Sequence, residues 1–246
     1  MPQFLINSKD VNNNKIVICD KENYTHIAKS LRAKVGEKLL LIDENQIQYE
    51  TVIKEITNKE ISVEVDKKYK SFRKLDFSLY LAQVPLRSDA QSFIVEKATE
   101  LGVDGIYPIL SDNCALNKAT IEKKIPKWQR IMYEAFKQCE RAYVPECLAL
   151  SNLEDIIKMN SECRVIAFCE RCTEKSLHEY YVKNPIKEGE KFIVIIGPEG
   201  GFTEREFQLM RDNKIPMLTL GNLILKAETA VTVALGNIIY EYNRKN

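Results

Sequence analysis

No apolar run in these 246 residues approaches the roughly 20 that a membrane-spanning helix requires. The opening MPQFLINSKD has neither the basic start nor the apolar stretch of a secretory leader, so a cytoplasmic protein is expected. A net charge of +1 gives the whole molecule no general attraction for a polyanion. A disulfide framework is missing too. The seven cysteines (19, 114, 139, 147, 163, 169 and 172) are odd in number and irregular in spacing, which suits reduced thiols. Cys169 and Cys172 form a Cys-x-x-Cys, with Cys163 six residues before it and His178 six after, a conceivable zinc site. Structural zinc usually takes two such pairs, so buried thiols and no metal are expected. The Walker phosphate loop and the Gly-x-Gly-x-x-Gly dinucleotide fingerprint are also absent, as is any internal repeat.

What is present is an ordinary globular composition, 45% hydrophobic, with two textures along the chain. From residue 15 to about 66 short alternating runs (KIVICD, KLLLID, QIQYETVIKEI, EISVEVD) read as strands joined by polar turns, the pattern of a small β-barrel. NYTHIAKSLR interrupts them as a helical piece, and its His26 reads as a surface or capping residue. KKYKSFRK follows, placing Lys67, Lys68, Lys70, Arg73 and Lys74 around Tyr69 and Phe72, a composition suited to phosphate contact and base stacking or, alternatively, to a solvated linker. Beyond it, strands (DFSLYLAQVP, GIYPILS, RVIAFCE, FIVII, PMLTLG) alternate with helices over 90–101, from about Pro126, and over 227–242. That alternation implies an α/β domain with a mostly parallel sheet and a boundary near residue 72.

The chemistry is expected where FIVIIGPEGGFTEREF turns from strand to helix. Phe192–Ile196 reads as a strand buried on both faces. Gly197, Gly200 and Gly201 then leave the main chain bare, and Thr203 with Glu206 stand in the capping-box relation. In a parallel sheet ligands bind outside such carboxyl strand ends. A second glycine-bearing strand end, LTLGNLILKAETA, follows about twenty residues later.

IGPEGGFTEREF followed by LGNLILKAETAV resembles the signature of the bacterial 16S ribosomal RNA uracil N3-methyltransferases, a family of the SPOUT class. LRAKVGEKLLLID, EKATELGV and PKWQRIMYEAFKQCERAYVPE extend the likeness across the chain. The resemblance implies a PUA-like or OB-like β-barrel (1–72) for RNA binding, then a SPOUT methyltransferase domain (73–246) threaded through a trefoil knot. It implies S-adenosylmethionine as cofactor, 16S rRNA of the small ribosomal subunit as partner, and a homodimer. Cofactor contacts are expected from Ile196, Gly197, Pro198, Glu199, Gly201, Leu220, Gly221, Leu225 and Thr229, and RNA contacts from Lys67, Lys68, Lys70, Arg73, Lys74 and Arg87.

Methylation at N3 needs an unpaired or flipped uracil, removal of the N3 proton and stabilisation of the resulting anion. Lys226, Glu228 and Arg141 are the candidates, with Glu228 alternatively a helix cap. Several positions depart from the family pattern: Gln3, Ala90, Asn113 and Tyr143 stand where basic residues are common, and Leu223 and Lys226 stand at the two arginines of the motif. Lysine does not reproduce arginine's planar fork. An RNA-binding or ribosome-assembly protein of the same fold, with weakened or lost catalysis, is the competing expectation.

Overall fold

The computed structural model describes residues 2–170 and 176–244. The chain separates into two compact units, one running to Lys74 and joined by Phe136–Val144, the other comprising Leu75–Ala135 and the chain from Pro145 onward.

The first unit contains β1 (Gln3–Ile6), β2 (Val11–Asn12), β3 (Lys15–Ile18), β4 (Lys38–Asp43), β5 (Ile47–Ile56) and β6 (Ile61–Lys70), ordered β1-β4-β5-β6-β3-β2 in one sheet. Phe4 and Ile6 from one edge share a core with Ile16 and Ile18 from near the other, so the sheet is rolled around its apolar face. Register shifts between β5 and β6, at Glu50/Thr51 and Ile53/Glu55, supply local bending. Asp20 caps the short helix α1 (Lys21–Tyr24), accepting a 2.8 Å bond from the Asn23 amide, and a π-helical turn over Thr25–Ser30 continues it. His26 sits in that turn, edge-on to Phe4 at 5.3 Å with Nδ1 3.3 Å from the Lys137 ammonium. Segment 136–144 joins this unit through specific bonds. Buried Gln3 donates to the Arg141 carbonyl at 2.6 Å and accepts from Gln48 at 3.1 Å, while Arg73 pairs with Glu140 at 2.8 Å. The basic stretch is no linker over its first half, because β6 continues to Lys70 opposite Ile47.

The second unit is built on β7 (Ser78–Gln83), β8 (Gly105–Leu110), β9 (Glu146–Cys147), β10 (Ser151–Asn152), β11 (Arg164–Phe168), β12 (Lys191–Ile196) and β13 (Met217–Leu218). All are parallel, in the order β10-β8-β7-β12-β11-β13, with β9 on β8. Side chains alternate between two cores: Phe192, Val194 and Ile196 of β12 enter one, Ile193 and Ile195 the other. Helices α2 (Ser88–Glu100), α3 (Lys118–Cys139), α5 (Leu177–Lys183) and α7 (Ala227–Asn243) supply the first core; α4 (Leu153–Lys158) and α6 (Glu204–Asp212) supply the second.

One helix start differs from expectation. The α3 helix begins at Lys118, where Asn117 accepts a 2.9 Å bond from the Thr120 amide, and Pro126 lies inside it. The missing proline N–H is tolerated because Pro126 and Glu122, whose carbonyl loses a partner, are both exposed to water. Among the described residues no helix is long and apolar enough to cross a membrane, and no group of three His, Cys, Asp or Glu side chains could hold a metal. Cys172 of the Cys-x-x-Cys lies outside the described residues.

Candidate active site

In the second unit, Phe168 of β11 pairs with Ile196 of β12 and Leu218 of β13, so three adjacent parallel strands end level with one another. Their outgoing loops and the start of α7 line a cleft of about 440 Å³, a size that takes a small organic ligand. Ile196, Gly197, Pro198, Glu199 and Gly201 form one wall; Leu225, Lys226 and Glu228 form another; Phe168, Cys169 and Glu170 complete it from β11. A smaller depression shares Phe168, Cys169, Glu170, Leu225 and Ala230 with the cleft and takes in Leu220, Gly221 and Leu223.

The loop after β12 has little room for side chains. Gly201 has φ of 70°, in the left-handed region, and a Cβ there would stand 3.2 Å from Glu170 Oε1. A Cβ on Gly197 would come within 2.9 Å of the Phe202 ring. Two groups outside the loop hold it. Asn113 donates from Nδ2 to the Gly201 carbonyl at 3.0 Å, and buried Gln83 at the end of β7 donates weakly to the Gly197 carbonyl at 3.4 Å.

The same β8–α3 loop also locks the start of α6. Thr203 and Glu206 close a capping box, with the Glu206 amide donating to Thr203 Oγ1 and Glu206 accepting from the Thr203 amide at 2.8 Å. Glu206, fully buried, further accepts the Asp112 amide at 3.0 Å. Asp112 accepts from Arg205 at 2.7 and 3.0 Å and from the Thr203 hydroxyl at 2.7 Å. The Arg205 guanidinium first, then the Thr203 hydroxyl, hold the Asp112 carboxyl below the ordinary carboxylate range.

Charge in the cleft is mainly negative, the lining carrying the carboxylates Glu170, Glu199 and Glu228 and one ammonium, that of Lys226. Lys226 is the N-cap residue of α7 and makes no side-chain cap bond. Glu228 lies in the first turn of α7 without a hydrogen bond to the helix's free N–H groups among the described residues, so its carboxylate is left to the cleft. Thr229 is exposed on the same turn and lines neither depression.

Arg141 belongs to the first unit, where it is 5% exposed and lies 5.3 Å over the Tyr143 ring. Of the basic stretch, Lys70 donates to the Asn45 carbonyl at 2.6 Å, Arg73 pairs with Glu140, and Lys67 stands 3.9 Å from Glu50. The side chains of Lys68 and Lys74 make no ion pair or hydrogen bond among the described residues, and Arg87 is exposed at the N-cap of α2. The positions that depart from the family pattern have individual explanations. Gln3 is a buried tie, Asn113 a loop anchor, Ala90 a small residue of the cleft wall, and Leu223 an exposed tip at 81%.

Sequence reasoning missed Phe168, Cys169, Glu170, Phe202 and Asn113. The carboxyl-end rule applied to RVIAFCE points to the first three. Asn113 stands out only as a departure from the family pattern, and nothing local marks its anchoring role, since its partner lies 88 positions away.

Comparison with known proteins places these features in context. Residues 73–239 match the model of an RNA methyltransferase domain, and residues 18–66 that of an RNA methyltransferase PUA domain. The chain is 30% identical over 213 residues to the ribosomal RNA small subunit methyltransferase E of Aquifex aeolicus, covering 86% of this chain and 88% of that one. It is 27% identical over 235 residues to the protein of the same name from Rickettsia conorii, covering 95% and 93%. The structure of ribosomal RNA small subunit methyltransferase E from Neisseria gonorrhoeae, bound to S-adenosyl methionine, superposes with a TM-score of 0.82 at 24% identity, covering 98% of this chain and 97% of that one. A PUA-like β domain followed by a parallel-sheet α/β RNA methyltransferase domain is therefore the fold.

Proposed function

This chain belongs to the RNA methyltransferase family, and from that premise we propose that it transfers a methyl group from S-adenosylmethionine to N3 of a uridine in 16S rRNA of the small ribosomal subunit. The observation that carries the proposal is the cleft beyond the level ends of β11, β12 and β13, inside the matched span, with main chain left bare at Gly197 and Gly201.

The residues present fit the cofactor. The glycine loop and Leu220–Gly221 offer main-chain N–H and C=O groups to an adenosine, and the cleft's carboxylates complement a ligand carrying a sulfonium and an ammonium. When bound, S-adenosylmethionine supplies an electrophilic methyl on a cationic sulfur. Glu228 takes the proton from uracil N3, and Lys226 steadies the negative charge that develops on the base. Holding N3 in line with the methyl supplies the rest of the acceleration. Lys67, Lys68, Lys70, Arg73, Lys74 and Arg87 contact the RNA backbone.

The family likeness extends the proposal to a trefoil knot through which the C-terminal segment is threaded, a homodimer and a cytoplasmic place of action. One observation favours a second reading, an RNA-binding or assembly protein with weakened catalysis: Leu223 is 81% exposed where the family pattern has arginine. Methylation of unmodified 30S particles by the purified protein separates the two. Incorporation of methyl into 16S rRNA supports the enzyme. Tight particle binding without incorporation supports the second reading.

A further inference from the structure

The α3 helix presents two unlike faces. Ile121, Trp128 and Met132, each no more than 2% exposed, anchor one side in the core of the second unit. Gln129 fixes the helix to β9, donating to the Pro145 carbonyl at 3.0 Å and accepting from the Cys147 amide at 2.7 Å. The helix therefore cannot roll. Its outer side carries Lys123, Lys127 and Arg130, all exposed. Their i, i+4, i+7 spacing puts them on one face, along about 10 Å of axis.

These three cations have no ion pair or hydrogen bond among the described residues. Several other basic side chains of the same unit are paired. Lys97 lies 2.7 Å from Glu96 and 2.8 Å from Glu100, Arg164 lies 2.7 Å from Glu190, and Arg205 bridges Asp112 and Glu154. Glu134 lies one turn beyond Arg130, yet Arg130 forms no ion pair among the described residues, and Lys123 and Lys127 have no acidic residue three or four positions away. With a net charge of only +1, attraction for a polyanion has to come from local clusters of this kind.

We propose that the Lys123–Lys127–Arg130 face of α3 is an RNA-docking surface on the methyltransferase unit, contacting backbone phosphates and distinct from the basic stretch of the first unit. It rests on the ribosomal RNA reading above in that RNA is the polyanion offered. Three cations on a fixed helix neutralise up to three phosphates, and each contact with single-stranded RNA adds about 0.7 to the slope of log affinity against log salt.

The test uses the full chain, a labelled single-stranded RNA and a salt titration. A Lys123→Ala/Lys127→Ala/Arg130→Ala variant should lower the slope by about 2. A control of equal charge change, Lys54→Ala/Lys158→Ala/Arg211→Ala, removes cations already paired and should leave the slope nearly unchanged. Calorimetry with S-adenosylhomocysteine checks that the cleft of each variant is intact. An unchanged slope in the α3 variant, or an equal fall in the control, overturns the inference. If the wild type takes up no cofactor and leaves 30S particles unmethylated, it is the proposed function that fails, and the slope comparison still decides for or against the α3 face.

Discussion

Gly201 is the residue at which a single added side chain tests the cleft. Its φ of 70° strains any β-branched residue, and a Cβ there meets Glu170 at 3.2 Å. Gly201→Val should fold and lose measurable binding of S-adenosylhomocysteine by calorimetry. Normal binding by a folded variant would show that the ligand lies elsewhere. Asn113 should matter less, because one neutral hydrogen bond contributes about 0.5–1.5 kcal/mol. Asn113→Ala is expected to weaken cofactor binding by about two- to tenfold, and an unchanged dissociation constant removes it as the loop's anchor. At the substrate side, Leu223→Arg should raise methylation of 30S particles and Lys226→Ala should nearly abolish it. Full activity in Lys226→Ala would mean that the cation acting on the base is another residue. The glycine loop was legible because glycine, proline and a capping box leave local marks. Gln3 and Asn113 were not, since their roles depend on partners 138 and 88 positions away.

Among the elements, α6 is held to the end of β8 by charge as well as by its own cap. Thr203→Ala removes the cap and a bond to Asp112, and should cost about 1 kcal/mol, read as a lower midpoint in denaturant. The Asp112–Arg205 pair adds a pH dependence. A carboxyl lowered in the folded state stabilises it above the ordinary value of 3.8, and that contribution is lost as pH falls through the lowered value. Asp112→Asn should therefore reduce the melting temperature at neutral pH, with the gap to wild type closing below about pH 4. A gap that persists undiminished in acid would assign the effect to hydrogen-bond geometry alone. Strands β4, β5, β11 and β12 and helices α2 and α7 were readable from period and length. The start of α3 was not, because Pro126 suits a first turn so well that it hides the earlier cap at Asn117. The β13 strand shrinks to Met217–Leu218 because pairing with β11 involves only those two residues.

At the scale of the whole molecule, a chain of net charge +1 is proposed to engage a polyanion through local clusters of cations. The fold class was legible from the switch between alternating strands and strand–helix units. The attachment of Phe136–Val144 to the first unit was not, because it rests on bonds such as Gln3 to Arg141 that no local pattern announces. The most direct measurement is nucleoside mass spectrometry of 16S rRNA after unmodified 30S particles are incubated with the purified protein and S-adenosylmethionine. The expected result is one new N3-methyluridine, absent when Gly201→Val replaces the wild type. The contrary result is no methylated uridine from a wild-type protein that binds the cofactor, on particles that a related ribosomal RNA small subunit methyltransferase E does modify.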